Sequence, residues 1–171
     1  MKLSPAKERF ILHWGEMGTK WGINRTVAQV HSLLHISAKP LNAEEIAETL
    51  DVARSNVSSS LKELQNWGII KVVHIMGDRR DHFESQHDIW VLFQTIMDER
   101  KRRELDPTAA VLRACVDEAK EEGDELAYKR LAELADFVDT MSNWYVQLRK
   151  LPPGGWKKMA KMGSILSKIA G

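Results

Sequence analysis

The stretch Asn42-Ala43-Glu44-Glu45-Ile46-Ala47-Glu48-Thr49-Leu50-Asp51-Val52-Ala53-Arg54-Ser55-Asn56-Val57-Ser58-Ser59-Ser60-Leu61-Lys62-Glu63-Leu64-Gln65-Asn66-Trp67-Gly68 decides the fold. Asn42 has the side chain of a helix N-cap, and Glu45 stands where its carboxylate can reach back to the cap's own amide. Ile46, Ala47 and Leu50 supply the buried side of a short helix. Asp51-Val52-Ala53 reads as a brief turn. A second helix then runs from about Arg54 to Trp67, with Val57, Leu61 and Leu64 facing inward and Gly68 ending it.

Directly downstream the pattern changes. Ile69 to Met76 is rich in β-branched residues and reads as a strand. Gly77-Asp78-Arg79-Arg80 reads as a turn and His82-Phe83-Glu84-Ser85 as a short return strand. Two helices joined by a tight turn and followed by a hairpin make a winged helix-turn-helix, in which the first helix braces the second and the second enters the major groove of DNA. The outward side of that second helix carries Arg54, Ser55, Asn56, Ser58, Ser59 and Lys62. Short hydrogen-bonding side chains can approach base edges and phosphates, and the amides at a helix start attract phosphate. At the hairpin tip, Arg79 and Arg80 suit a narrow minor groove, and Asp78 is placed to hold one of them by a charge-assisted hydrogen bond. A solvated turn would also account for this arginine pair taken alone.

Upstream, Ser4-Pro5 opens a helix to roughly Met17 along Phe10, Ile11, Trp14 and Met17, with Gly15, Gly18 and Gly22 as punctuation. Asn24 caps a second helix whose stripe is Val27, Val30, Leu33, Leu34 and Ile36, ended by Pro40. Downstream, one helix spans about Asp88 to Glu104. Asp106-Pro107 starts another that Gly123 breaks, and a long helix follows from roughly Asp124 to Leu151. In it Leu131, Leu134, Val138, Met141, Tyr145 and Leu148 step by three and four, the seam of a dimerising coiled-coil-like contact or of packing within one chain. The expected organisation is mainly α with a small β-hairpin wing: residues 1–87 hold the N-terminal helices and the DNA-binding domain, and 88–171 a helical dimerisation or regulatory region.

From about Trp14 to Ser85 the sequence resembles the MarR superfamily of winged-helix regulators, and within it the glycine-betaine-regulator (GbsR)-like branch. The resemblance rests on Gly18 and Trp21-Gly22-Ile23-Asn24-Arg25-Thr26, on Pro40-Leu41-Asn42-Ala43-Glu44-Glu45-Ile46-Ala47, on Ser55-Asn56-Val57-Ser58 and Leu61-Lys62-Glu63-Leu64, and on Gly77-Asp78-Arg79-Arg80-Asp81-His82-Phe83-Glu84. It departs at Ala28 and Gln29, where that branch tends toward Gly-Arg. The resemblance implies a homodimeric regulator, a repressor before an activator, that reads double-stranded DNA at a palindromic operator.

Composition bounds these readings. The 171 residues carry 25 Lys and Arg against 24 Asp and Glu, so any DNA-binding face must be a local patch. No apolar run approaches the roughly 20 residues of a membrane span, and no signal-peptide pattern opens the chain. The single cysteine, Cys115, excludes an internal disulfide and points to the cytoplasm, and its apolar surroundings read as burial. Phosphate loops, nucleophile elbows and metal-ligand spacings are missing from the sequence, so neither an enzyme nor a cofactor is expected. His31 and His35 stand at metal-ligand spacing but beside core positions, and read as structural. His74, His82 and His87 surround the hairpin. Trp14, Trp21, Trp90, Trp144 and Trp156 read as packing residues before an aromatic cage for a quaternary ammonium effector. The basic segment from Lys150 to Gly171 reads as a terminal helix docking on the protein. Two other readings share the fold, a protein-interaction module without DNA binding and a sensor of a small-molecule effector or metal.

Overall fold

The structure, a computed structural model, describes residues 2–151, 154–156 and 158. Helix α1 (Pro5–Lys20) starts on a Ser4 cap that accepts from the Lys7 amide, and α2 (Arg25–His35) on Asn24, whose Oδ1 accepts from the Thr26 amide at 2.8 Å. Strand β1 is Leu41–Asn42, followed by α3 (Ala43–Leu50) and α4 (Arg54–Asn66). Strands β2 (Ile70–Val73) and β3 (His82–Ser85) form the hairpin. The sheet is antiparallel in the order β1-β3-β2, pairing Leu41 with Phe83 and Val72 with Phe83 across the central strand. The sequence indicates two strands; β1, at two residues, is too short to show a period.

Asn42 explains why the sheet and the helix pair stay in register. It ends β1 opposite His82 and also caps α3, its Oδ1 accepting from the Glu45 amide at 3.0 Å while Glu45 Oε2 accepts from the Asn42 amide at 2.9 Å. The expected capping box is therefore complete. The turn between α3 and α4 pivots on Asp51 in the left-handed region (φ 52°), which aspartate tolerates better than most side chains. Gly68, at φ +67°, ends α4 and turns the chain into β2.

Val30, Leu33, Leu34, Leu41, Ile46 and Val57 are almost completely buried and form the core under α3, α4 and the sheet. Each contributes on the order of 1.5–3 kcal/mol by leaving water. Glycines 15 and 18, read from sequence as punctuation, lie inside α1 instead. A Cβ on Gly18 would stand 2.5 Å from the Ala28 Cβ, and one on Gly15 would stand 2.7 Å from Gln29 Cγ. They let α1 and α2 approach closely, against the very pair at which the sequence departs from the branch pattern.

Packing divides the chain into two compact units, one through Thr95 and one from Ile96. That division falls inside α5 (Ile89–Arg100), whereas the division at residue 87 drawn from sequence follows the end of the hairpin. The helix break expected at Asp106-Pro107 is not present. Instead α5 widens into a π-helical turn, Lys101–Leu105, and continues as α6 (Asp106–Glu122), with Leu105 and Asp106 both in right-handed helical conformation. Pro107 has no amide to give the Arg103 carbonyl and its ring crowds that group; the wider turn just before it relieves the crowding.

After Gly123, α7 (Glu125–Arg149) returns antiparallel to α6, as the Arg113–Asp139 ion pair shows. Near its end Tyr145 Oη donates to Asp98 at 2.6 Å and Arg149 Nε to the same carboxylate at 2.8 Å. Cys115 is partly exposed, a correction to its expected burial. Trp156 is buried edge-on against Tyr145, whereas most of the basic segment beyond it lies outside the described residues.

Candidate nucleic-acid interface

Helix α4 presents two distinct sides. Val57, Ser60, Leu61 and Leu64 are buried, and Arg54, Ser55, Asn56, Ser58, Ser59 and Lys62 are all exposed. The helix stands as a ridge between two grooves. On the hairpin side a groove of about 260 Å³ is lined by Glu44, Arg54, Ser58, Gln65, Arg80 and Asp81, among others. On the α2 side a groove of about 200 Å³ includes Asn24, Thr26, Asn56, Ser59 and Glu63. A polar ridge with a cleft on each side has the outline needed to enter a major groove about 12 Å wide. Ala53 precedes α4 and gives its first amides no side-chain cap, so the positive end of the helix dipole stays available to an anion.

The hairpin tip is braced as the sequence indicates, and the structure selects which arginine is held. Arg80 donates through Nε to both carboxylate oxygens of Asp78 (2.9 and 3.1 Å) and through Nη2 at 2.5 Å, while its backbone amide also donates to Asp78. This arrangement holds the Asp78 carboxyl well below the usual carboxylate range and raises the guanidinium further. His82, buried on β3, lies with Nδ1 3.0 Å from the Arg80 carbonyl, to which it donates, and with Nε2 3.6 Å from Asp78. The chelated pair is thus backed by the His82 imidazole, whose partner the sequence does not indicate.

The cations do not contribute equally. Arg54 pairs with Glu44 at 2.8 Å and Arg80 with Asp78, whereas Arg79 and Lys62 are exposed and make no ion pair among the described residues. Arg79 and Lys62 therefore offer a phosphate their full charge, and Arg54 and Arg80 are oriented by acids they would share with it.

The remaining candidates disperse. His31 Nε2 lies 3.2 Å from Ser85 Oγ, and the rings of His35 and His87 follow at centroid steps of 6.0 Å. His74 approaches Asp81 instead, so His74, His82 and His87 do not meet. No group of three ligating side chains suited to a metal occurs among the described residues. Phe10, Trp14 and Trp21 stack in sequence, and Trp156 joins Tyr145. Of the seam on α7, Leu131 and Val138 are half-buried and Leu134 and Met141 exposed, whereas Tyr145 and Leu148 are buried within their own chain. Phe137 and Trp144, absent from that seam, are exposed at 61% and 55%. They stand three residues beyond Leu134 and Met141, so the continuous exposed stripe is Leu134, Phe137, Met141 and Trp144.

A braced helix that stands between two grooves, beside an arginine-clamped hairpin, defines a winged-helix domain, a class that reads duplex nucleic acid. Residues 21–81, from the end of α1 through the hairpin tip, match the profile of the MarR family. The chain is 23% identical over 154 residues to YvaV of Bacillus subtilis (strain 168), whose name places it with the HTH-type transcriptional regulators; the match covers 85% of this chain and 86% of YvaV. It is 21% identical over 136 residues to the HTH-type transcriptional repressor GbsR of the same organism, covering 77% and 75%. A crystal structure of a transcriptional regulator shares the fold with a TM-score of 0.63 at 21% identity, over 84% of this chain and 95% of that one. Among the described residues no helix is long and apolar enough to cross a membrane.

Proposed function

We propose that this protein is a cytoplasmic, sequence-specific transcriptional regulator that binds double-stranded DNA as a homodimer on a palindromic operator, acting by repression. The observation that carries the reading is the exposed polar ridge of α4 between its two grooves, with Arg54 and Arg80 lining the groove on the hairpin side. Ser55, Asn56, Ser58 and Ser59 meet base edges in the major groove. Arg54 and Lys62 meet phosphates, and Arg79 and Arg80 reach the adjacent minor groove or its backbone. A second copy is needed to set two ridges about 34 Å apart, and the exposed stripe Leu134, Phe137, Met141 and Trp144 supplies an apolar face for it. Repression follows the relative GbsR, named as a repressor. An effector would act by changing the separation of the two ridges.

Selection of bound fragments from a random duplex pool tests the reading. The expected result is a palindromic consensus with half-sites about 10 base pairs apart. Arg79→Ala should then weaken binding to all sequences and lower the salt slope by about one per contact. Failure to retain any duplex at low ionic strength overturns it.

A further inference from the structure

The hairpin tip carries an apolar residue that none of the described residues covers. Met76 is completely exposed (102%), and Ile75 beside it is 41% exposed. Isolated apolar side chains on a surface are ordinary; this one stands at the end of a held turn. The tip is built to a fixed shape. The Asp78 amide donates to the Ile75 carbonyl at 3.1 Å, Gly77 takes φ +85°, and the Asp78–Arg80 chelate and the His82–Arg80 bond lock the next residues. Met76 therefore projects from a braced turn, three residues from Arg79, which makes no ion pair among the described residues, on the element whose Arg80 lines the groove beside α4.

We infer that Met76, with Ile75 behind it, enters the minor groove flanking each α4 contact and selects A·T pairs there; the inference rests on the DNA-binding reading above. Arg79 brings charge to a groove whose potential deepens as it narrows. Met76 supplies what a cation cannot, an apolar contact with the deoxyribose walls and the groove floor, for which its unbranched, polarisable thioether is suited. On that floor an A·T pair offers acceptors alone, whereas a G·C pair adds the guanine N2 amino donor. The thioether sulfur is only a weak acceptor, so that amino group would be buried without an adequate partner.

The test uses the full chain and the duplex obtained by selection, with the flanking minor-groove steps made A·T, G·C or I·C; inosine removes the N2 amino group from the groove, together with the one pairing hydrogen bond that group makes, and keeps the major-groove edge. Wild type is expected to bind the A·T and I·C flanks alike and the G·C flank about tenfold more weakly. Met76→Ala should bind all three with the weaker affinity and an unchanged salt slope, because no charge is lost. Met76→Leu should keep the preference. Arg79→Ala should lower all three and reduce the slope. If Met76→Ala discriminates as wild type does, or if I·C behaves like G·C, the inference is overturned while the regulator reading stands. If wild type binds no duplex, the reading beneath it falls as well.

Discussion

His31 faces the core from α2, with Ser85 of the central strand against its Nε2. Burial, and after it the neighbouring His35, lower its pKa to about 4. The unfolded chain takes up the same proton near pH 6.5. Between these two values the unfolded state binds more protons, so stability is full above 6.5 and declines as pH falls toward 4, by about 3 kcal/mol in all. Glu45 adds a separate loss below the ordinary carboxylate range, because the Asn42 amide holds its carboxyl down. His31→Gln, which keeps a donor toward Ser85, should flatten the upper part of this decline. Urea unfolding at pH 7.5 and 5 measures it, and equal losses in variant and wild type would clear the imidazole of the effect. At this scale the sequence was partly legible. The outward set on α4 was readable because 3.6-residue spacing places Val57, Leu61 and Leu64 on the opposite side. The division of labour between Arg79 and Arg80 was not, since it depends on which guanidinium the turn brings to Asp78. Spacing also shows His31 and His35 as neighbours, yet not that Ser85, 54 positions on, is the partner.

Secondary structure followed local signals closely where caps and breakers act alone, and departed from them where packing intervened. Gly15 and Gly18 look like interruptions in isolation, yet α1 runs through both because their missing side chains admit α2. Gly18→Ala should therefore destabilise the protein despite the better helix propensity of alanine. The crowding against Ala28 costs about 1–3 kcal/mol against a propensity gain of about 1. A lower Tm by circular dichroism, largely restored by adding Ala28→Gly, is the expected outcome; a raised Tm would mean that the helices have room to part. Pro107 misleads in the opposite direction. A proline normally marks the start of a helix or a kink in one, and here a π-helical turn lets the helix pass through it, a feature with no signal in the sequence. The two-residue strand β1 was illegible for a simpler reason, being defined by its partner and not by its own residues.

For the whole molecule, the sequence places α7 as a long amphipathic helix but cannot apportion its apolar residues between its own chain and a second copy. The steps that run through Tyr145 and Leu148 and those that run through Phe137 and Trp144 share Leu134 and Met141, and only packing separates them. With Tyr145 fastened to Asp98 and Leu148 buried, the free stripe is the one containing Phe137. Phe137→Asp should yield a folded monomer by light scattering and lose operator affinity by two orders of magnitude or more, since one half-site alone remains; a variant that stays dimeric would move the interface elsewhere. Asn42, meanwhile, serves as the last rung of a sheet and the first lock of a helix pair. The foot of the hairpin and the start of the helix pair are thereby held like the two jaws of a caliper that share one rivet. Because that one residue fixes where the central strand stands against the start of α3, a duplex whose grooves do not match that spacing would have to deform to be bound, and its stiffness would then enter the affinity.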